Sequence, residues 1–212
     1  MTSDDQAWDV FRRHRLWFNK LYVSERLGYN CGPGGTLPKT AGHYIVRPIY
    51  NLRGMGVGTT LEYLDPLTYD KVPPGYFWCE QFEGRQYSAT YRFVHNTQPH
   101  WQPISCWEGV LPNDSFSYFK TWMRSNHFPE VPKIFNELSD VQTINVEFIG
   151  DKPIEVHLRT TPDPDYDVLI PIWSDTPSLV REQLADSGYT WIESYDNADG
   201  YLAKARLGFF VR

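Results

Sequence analysis

Residues 143–159, TINVEFIGDKPIEVHLR, constrain this chain more than any other stretch. Apolar and polar side chains alternate through both halves. Ile144, Val146 and Phe148 fall on one face, with Asn145 and Glu147 on the other. After the turn, Ile154, Val156 and Leu158 share a face, and Glu155, His157 and Arg159 share the opposite one. A period of two is the pattern of a half-buried strand, so the segment reads as a β-hairpin. The apolar faces coincide if the loop has three residues, Gly150-Asp151-Lys152, which sets Glu147 opposite Glu155. A two-residue loop would set Glu147 against Val156 and break the pattern. Carboxylates directly opposite lie about 5 Å apart and repel. Such a face needs a shared proton, a nearby arginine or a divalent cation. Two carboxylates with one further donor suit Mg²⁺. The plainer alternative is a solvated outer sheet face.

The rest of the chain supplies elements around this hairpin. Residues 3–27 read as one helix that Ser3 or Asp4 can cap and Gly28 ends. Strands are expected at 43–50, 76–82, 86–95 and 168–173, and another at 102–110. Helical pattern returns at 114–124 and 132–138. Thr176-Pro177 starts a helix stopped at Gly188, and 201–210 is ambiguous. Strands in local pairs mixed with helices predict an α+β fold. With 212 residues and no clear linker, the chain is expected to form one domain of two lobes, about 43–80 and 81–212.

Composition excludes several classes. The net charge of −6 argues against a broad nucleic-acid surface. No apolar run is long enough to span a membrane, and no signal-peptide pattern opens the sequence. Cys31, Cys79 and Cys106 are odd in number and form no CxxC, so free thiols in a reducing, cytoplasmic compartment are expected.

A second informative segment is YIVRPIYNLRGMGVG, residues 44–58. A strand delivers Arg47, then Arg53 precedes Gly54, Gly56 and Gly58. Alternating glycines let the backbone approach an anion closely, and arginines supply paired donors to phosphate oxygens. An ordinary turn is the alternative, since neither a Walker A nor a Rossmann motif is present.

Taken in order, these pieces resemble the ATP-grasp superfamily, and in particular the small ATP-grasp proteins of viral genomes. Val46-Arg47-Pro48 stands where that family carries VKP. Residues 53–58 match its flexible glycine loop, and residues 80–86, EQFEGRQ, match its hinge. Glu147 with Glu155-Val156-His157-Leu158-Arg159 matches its terminal acid and ExNxR strand, with His157 in place of the usual Asn. The resemblance implies two small α+β lobes with antiparallel sheets enclosing ATP. It implies Arg47 on a phosphate, the loop at Arg53, Gly54 and Gly56 over the phosphates, and Glu80 and Phe82 at the adenine. Gln86 stands at the ribose-acid position, with Glu83 as a substitute. Glu147, Glu155 and His157 occupy the positions for Mg²⁺ or Mn²⁺, and Arg159 faces the reacting phosphate. Arg92 is a candidate second phosphate contact, a surface arginine being the alternative.

The implied activity is an ATP-dependent carboxylate–amine ligase working through an acyl phosphate, its two substrates unnamed and peptide or protein among the options. If the chain is viral, the compartment is the host cytoplasm. A catalytically inactive nucleotide-binding or assembly protein is the first alternative. A glycan-binding module, suggested by eight tryptophans, is the second.

Overall fold

In the computed structural model, which describes residues 3–52, 54–112 and 115–212, the amino-terminal stretch is three short helices, not one. Ser3 caps α1 (Asp4–Val10), its hydroxyl accepting from the Gln6 amide. Phe11 leaves helical geometry, a 3-10 helix spans Arg12–Phe18, and Asn19 caps α2 (Lys20–Arg26) by accepting from the Tyr22 amide. The single helix expected over 3–27 breaks because Asn19 offers the backbone a cap in mid-run. The break lets Trp17, Phe18 and Val23 all reach the core.

A four-stranded antiparallel sheet follows. It contains β1 (Cys31–Pro33), β2 (Gly42–Pro48), β3 (Thr60–Leu64) and β4 (Tyr76–Glu80), in the order β1-β4-β2-β3. Tyr44, Val46, Leu64, Val72 and Trp78 form its core. Trp78 donates its indole N–H to the Thr36 carbonyl at 2.9 Å, so the ring is buried without an orphan donor.

The second sheet has eight antiparallel strands. These are β5 (Gln86–Val94), β6 (His100–Val110), β7 (Thr121–Arg124), β8 (Thr143–Ile149), β9 (Lys152–His157), β10 (Val168–Trp173), β11 (Thr190–Asp196) and β12 (Arg206–Val211). Their order is β11-β12-β10-β7-β6-β5-β8-β9, and α3 (Ser178–Asp186) joins β10 to β11. Ile144, Val146 and Phe148 are wholly buried, packed with Phe135, Leu138 and the amino-terminal aromatics. Of the helix expected over 114–124, Asp114 lies outside the described residues, and 115–124 form a turn and β7 instead. Ser115 accepts from the amides of Ser117 and Tyr118, which closes a turn where a helix would need those amides elsewhere. Residues 132–138 form a 3-10 helix, Lys133–Leu138. The ambiguous 201–210 stretch contributes β12. The result is an α+β fold of two antiparallel sheets.

The hairpin keeps its expected register by a different route. Glu147 does lie opposite Glu155, but Ile149 pairs with Lys152, so the turn has two residues. A bulge at Ile154 restores the parity. Val156 and Leu158 therefore stay in the core, while Ile154 leaves the apolar face and lines the cleft between the sheets. Among the described residues no helix is long and apolar enough to cross a membrane.

Candidate functional site

The cleft between the two sheets has a volume of about 140 Å³. Strand β2 brings Arg47 to it from the small sheet. The Arg47 side chain is buried, with one donation, from Nη2 to the Ile154 carbonyl at 2.8 Å. The bulge in β9 frees that carbonyl, so the irregularity of one sheet anchors the cation of the other. Arg47 Nε is buried without a hydrogen-bond partner, and no carboxylate among the described residues pairs with this guanidinium. An unpaired buried cation is costly, which marks the place as one for an anion.

The glycine loop closes the same region. Gly54, Gly56 and Gly58 all have positive φ, as does Met55 between them. At Gly56 a side chain would collide with the Phe116 carbonyl oxygen, so the loop lies against the 115–119 turn with no room for a Cβ. Arg53 lies outside the described residues.

Of the hinge residues, Glu80, Phe82 and Gln86 line the cleft, with Ile45 and Ile149 as apolar walls. The Glu80 carboxylate also accepts from the Asn30 amide at 2.8 Å, and Phe82 packs edge-on against Tyr29. Glu83 and Arg92 are exposed and stand apart from the cleft lining, so the structure does not gather them with the others. Arg92 instead lies in the β5 ladder between Gln102 and Thr143.

The acidic end of the cleft contains two groups that sequence reasoning missed. Lys20, at the start of α2, is 5% exposed and donates to Glu155 Oε2 at 2.7 Å. Asp4, at the start of α1, is 3% exposed. It accepts from Arg159 Nε at 2.8 Å, from Arg159 Nη2 at 2.9 Å, and from His157 Nδ1 at 2.9 Å. His157 Nε2 then sits 3.7 Å from both Glu147 and Glu155. Three carboxylates thus meet three cationic side chains. Asp4 could have been suspected only as a helix cap, and nothing in the local pattern marks Lys20.

The charges tune one another. Burial works to raise the Asp4 carboxyl, but His157 and Arg159 outweigh it and hold the group well below the usual carboxylate range. Burial likewise opposes ionisation of Glu147, and His157, Lys20 and Arg159 together bring it below its ordinary value. For His157, burial pulls down and Asp4 pushes up; Arg159 opposes and Glu155 assists, and the net value is about 9. That lies above the ordinary 6.5, so the imidazolium stabilises the fold fully below about pH 6.5 and ceases to as pH rises through about 9. Melting temperature is expected to drop on crossing pH 9, and His157→Gln to flatten that drop. Identical alkaline limbs in the two proteins would contradict the assignment.

These residues do not fit a divalent cation as they stand. Lys20 already holds one oxygen of Glu155, Asp4 holds His157, and Mg²⁺ favours an oxygen shell over imidazole. Among the described residues no group of three or more His, Cys, Asp or Glu side chains is placed to hold a metal ion. In this arrangement Glu147, Glu155 and His157, the expected metal positions, lie in an ion-pair network with Lys20, Asp4 and Arg159.

A second cavity, about 130 Å³, continues from the cleft past Met55, Phe119 and Glu147, residues that line both. Its far walls come from the late strands, which carry Trp122, Trp173 and Arg206, and from the 161–163 segment with Asp163.

No family model and no curated protein matches the chain. Solved structures do. N5-carboxyaminoimidazole synthetase from Staphylococcus aureus, complexed with ADP, superposes with a TM-score of 0.56 at 12% identity, covering 93% of this chain and 67% of that one. The fold is the ATP-grasp fold. An ATP-grasp superfamily protein from Archaeoglobus fulgidus is 16% identical, with a TM-score of 0.41 over 70% of this chain and 47% of its own. L-amino acid ligase from Bacillus licheniformis is 14% identical, with a TM-score of 0.45 over 68% of this chain and 41% of its own. The chain thus spans less than half the length of these last two structures.

Proposed function

We propose that the chain binds ATP in the cleft between its sheets and uses it as a carboxylate–amine ligase. The observation that carries this reading is the buried Arg47 guanidinium, lacking a carboxylate partner and facing an ATP-grasp cleft beneath a glycine loop. A polyphosphate supplies the anion that Arg47 lacks. Phe82, Ile45 and Ile149 offer an apolar slot of the kind a purine fills, with Glu80, Gln81 and Gln86 at its rim.

In the proposed chemistry a substrate carboxylate oxygen attacks the γ-phosphorus of ATP. The bond from that phosphorus to the β-phosphate oxygen breaks, giving an acyl phosphate and ADP. An amine nitrogen then attacks the acyl carbon, the carbon–oxygen bond to phosphate breaks, and the nitrogen gives up a proton. What this chain contributes is positive charge and position. Arg47 binds the phosphates, Lys20 lies in the same cleft, and the loop at 54–58 excludes water. Mg²⁺, which the resemblance implies, has no ligand set here that fits it, and no step is assigned to it.

The reading of an inactive nucleotide-binding protein draws on one observation, that Asp4 already holds Arg159 by two bonds. ADP release with a carboxylate and an amine present separates the two: turnover supports the ligase, binding without turnover the inactive protein.

Arg47→Ala is expected to weaken ATP binding by about 1.5–3 kcal/mol, the scale of a charged hydrogen bond. Calorimetry reads the affinity, and melting without ligand reads the fold. A large loss of apo stability at unchanged affinity would make Arg47 structural. Absence of ATP binding by the intact chain would remove the proposal altogether.

A further inference from the structure

The second cavity has a chemistry of its own. Its cations are engaged. Arg159 and His157 are bonded to Asp4, and Arg206 donates to the Ser194 carbonyl at 3.3 Å while standing 3.4 Å from Asp163 and 3.7 Å from Asp196. Its carboxylates are not comparably satisfied. Among the described residues, the nearest cationic atom to Glu147 is His157 Nε2 at 3.7 Å, and Asp163 accepts nothing closer than Arg206 at 3.4 Å. Both are half-buried and line the cavity. A carboxylate with no short hydrogen bond in such a place favours a donor that brings positive charge. The walls offer the same preference. Phe119 and Trp122 stack with ring centres 4.2 Å apart, Trp173 stands near them with its N–H given to the Phe119 carbonyl, and all three line the cavity. Aromatic faces attract ammonium groups and accept apolar stems. Among the described residues, the cations lining it, His157, Arg159 and Arg206, each already contact a carboxylate.

We propose that this cavity binds an amine, a primary ammonium on an apolar or aromatic stem, with its nitrogen held by Asp163 and its stem against Trp122 and Trp173. The cavity meets the nucleotide cleft at Glu147, so the amine sits where a group activated by ATP would be delivered; its role as the acceptor rests on the ligase reading, while its binding does not. Burial also raises the proton affinity of Asp163, with Glu147 and Asp196 acting in the same sense and Arg206 and Arg159 against it. This agrees with a carboxylate whose contact with Arg206, at 3.4 Å, does not offset its burial.

The test uses three probes of one shape on the intact chain: 2-phenylethylamine, 2-phenylethanol and 3-phenylpropionate. Calorimetry and tryptophan fluorescence read binding, and ATP is titrated separately. The amine is expected to bind about tenfold or more tightly than the alcohol, the scale of one charged hydrogen bond, and the carboxylate not to bind. Asp163→Asn is expected to remove that tenfold advantage while leaving ATP affinity unchanged. The comparison of probes on the unaltered chain needs no variant, so poor folding of Asp163→Asn leaves the proposal open to refutation. Binding of the carboxylate as tight as the amine, binding of no probe, or an unchanged amine affinity in a folded Asp163→Asn would overturn it. Amine binding without ATP binding would remove the ligase reading and leave the amine site standing.

Discussion

Asp4→Ala is expected to destabilise the protein by about 3–5 kcal/mol, the usual cost of stripping one partner from a buried charge pair. Asp4 sits at the first turn of a seven-residue helix, where an exposed acid would matter by only a few tenths to about 1 kcal/mol. Here it is 3% exposed and accepts three bonds from two side chains that lie more than 150 residues later. Its removal takes away the charge that holds His157 protonated and leaves the Arg159 guanidinium without its carboxylate. Urea denaturation measures the loss. Part of it should be recovered as pH rises, and at a pH below the value of about 9 seen with Asp4 in place, because burial and Arg159 then act against the His157 charge. A cost near 0.5 kcal/mol would reduce Asp4 to a surface helix acid. The same variant frees the Arg159 guanidinium, so a gain in affinity for inorganic phosphate is expected beside the loss of stability.

Lys20→Met is expected to have an effect of similar size, about 3–5 kcal/mol, for the mirror-image reason. Methionine fills the space of the lysine stem but leaves the Glu155 carboxylate buried opposite Glu147 with its cation gone. The two carboxylates then repel across the hairpin, as facing acids on neighbouring strands do. Adding Glu155→Gln should recover most of the stability, because the charge that needed Lys20 is gone. Equilibrium unfolding of both single variants and the double variant isolates the pair. Simple additivity of the two losses would show that Lys20 and Glu155 do not act on each other. The pair also carries a consequence for the cleft. Lys20 and Arg47 line it together, so loss of Lys20 should reduce ATP affinity as well as stability.

Much of this arrangement is legible in the sequence. The alternation of Ile144, Val146 and Phe148 with Asn145 and Glu147 dictates which face is buried, and all three apolar residues are wholly enclosed. The same parity sets Glu147 against Glu155. The order of Arg47, the glycine loop, the hinge and the acidic hairpin is enough to suggest the fold, and Arg47, Glu80, Phe82, Gln86, Glu147 and Glu155 do meet in one cleft. The hairpin's faces and register are what local periodicity and spacing encode, because a strand has only two faces and a turn has few lengths, whereas the fold and the cleft residues come from the resemblance of the ordered motifs to the ATP-grasp family.

What the pattern could not give is what comes from far along the chain. Asn19 splits the first helix, and that break is what sends Lys20 to the edge strand. The bulge at Ile154 trades a three-residue loop for a two-residue turn and turns a carbonyl toward Arg47, a contact spanning 107 positions. Asp4 reaches Arg159 across 155 positions, a contact that no local pattern announces. A charge pattern read along one hairpin shows that the carboxylates need a counter-charge. Lys20, 135 positions before Glu155, supplies part of that counter-charge at 2.7 Å, and only the tertiary structure brings it there.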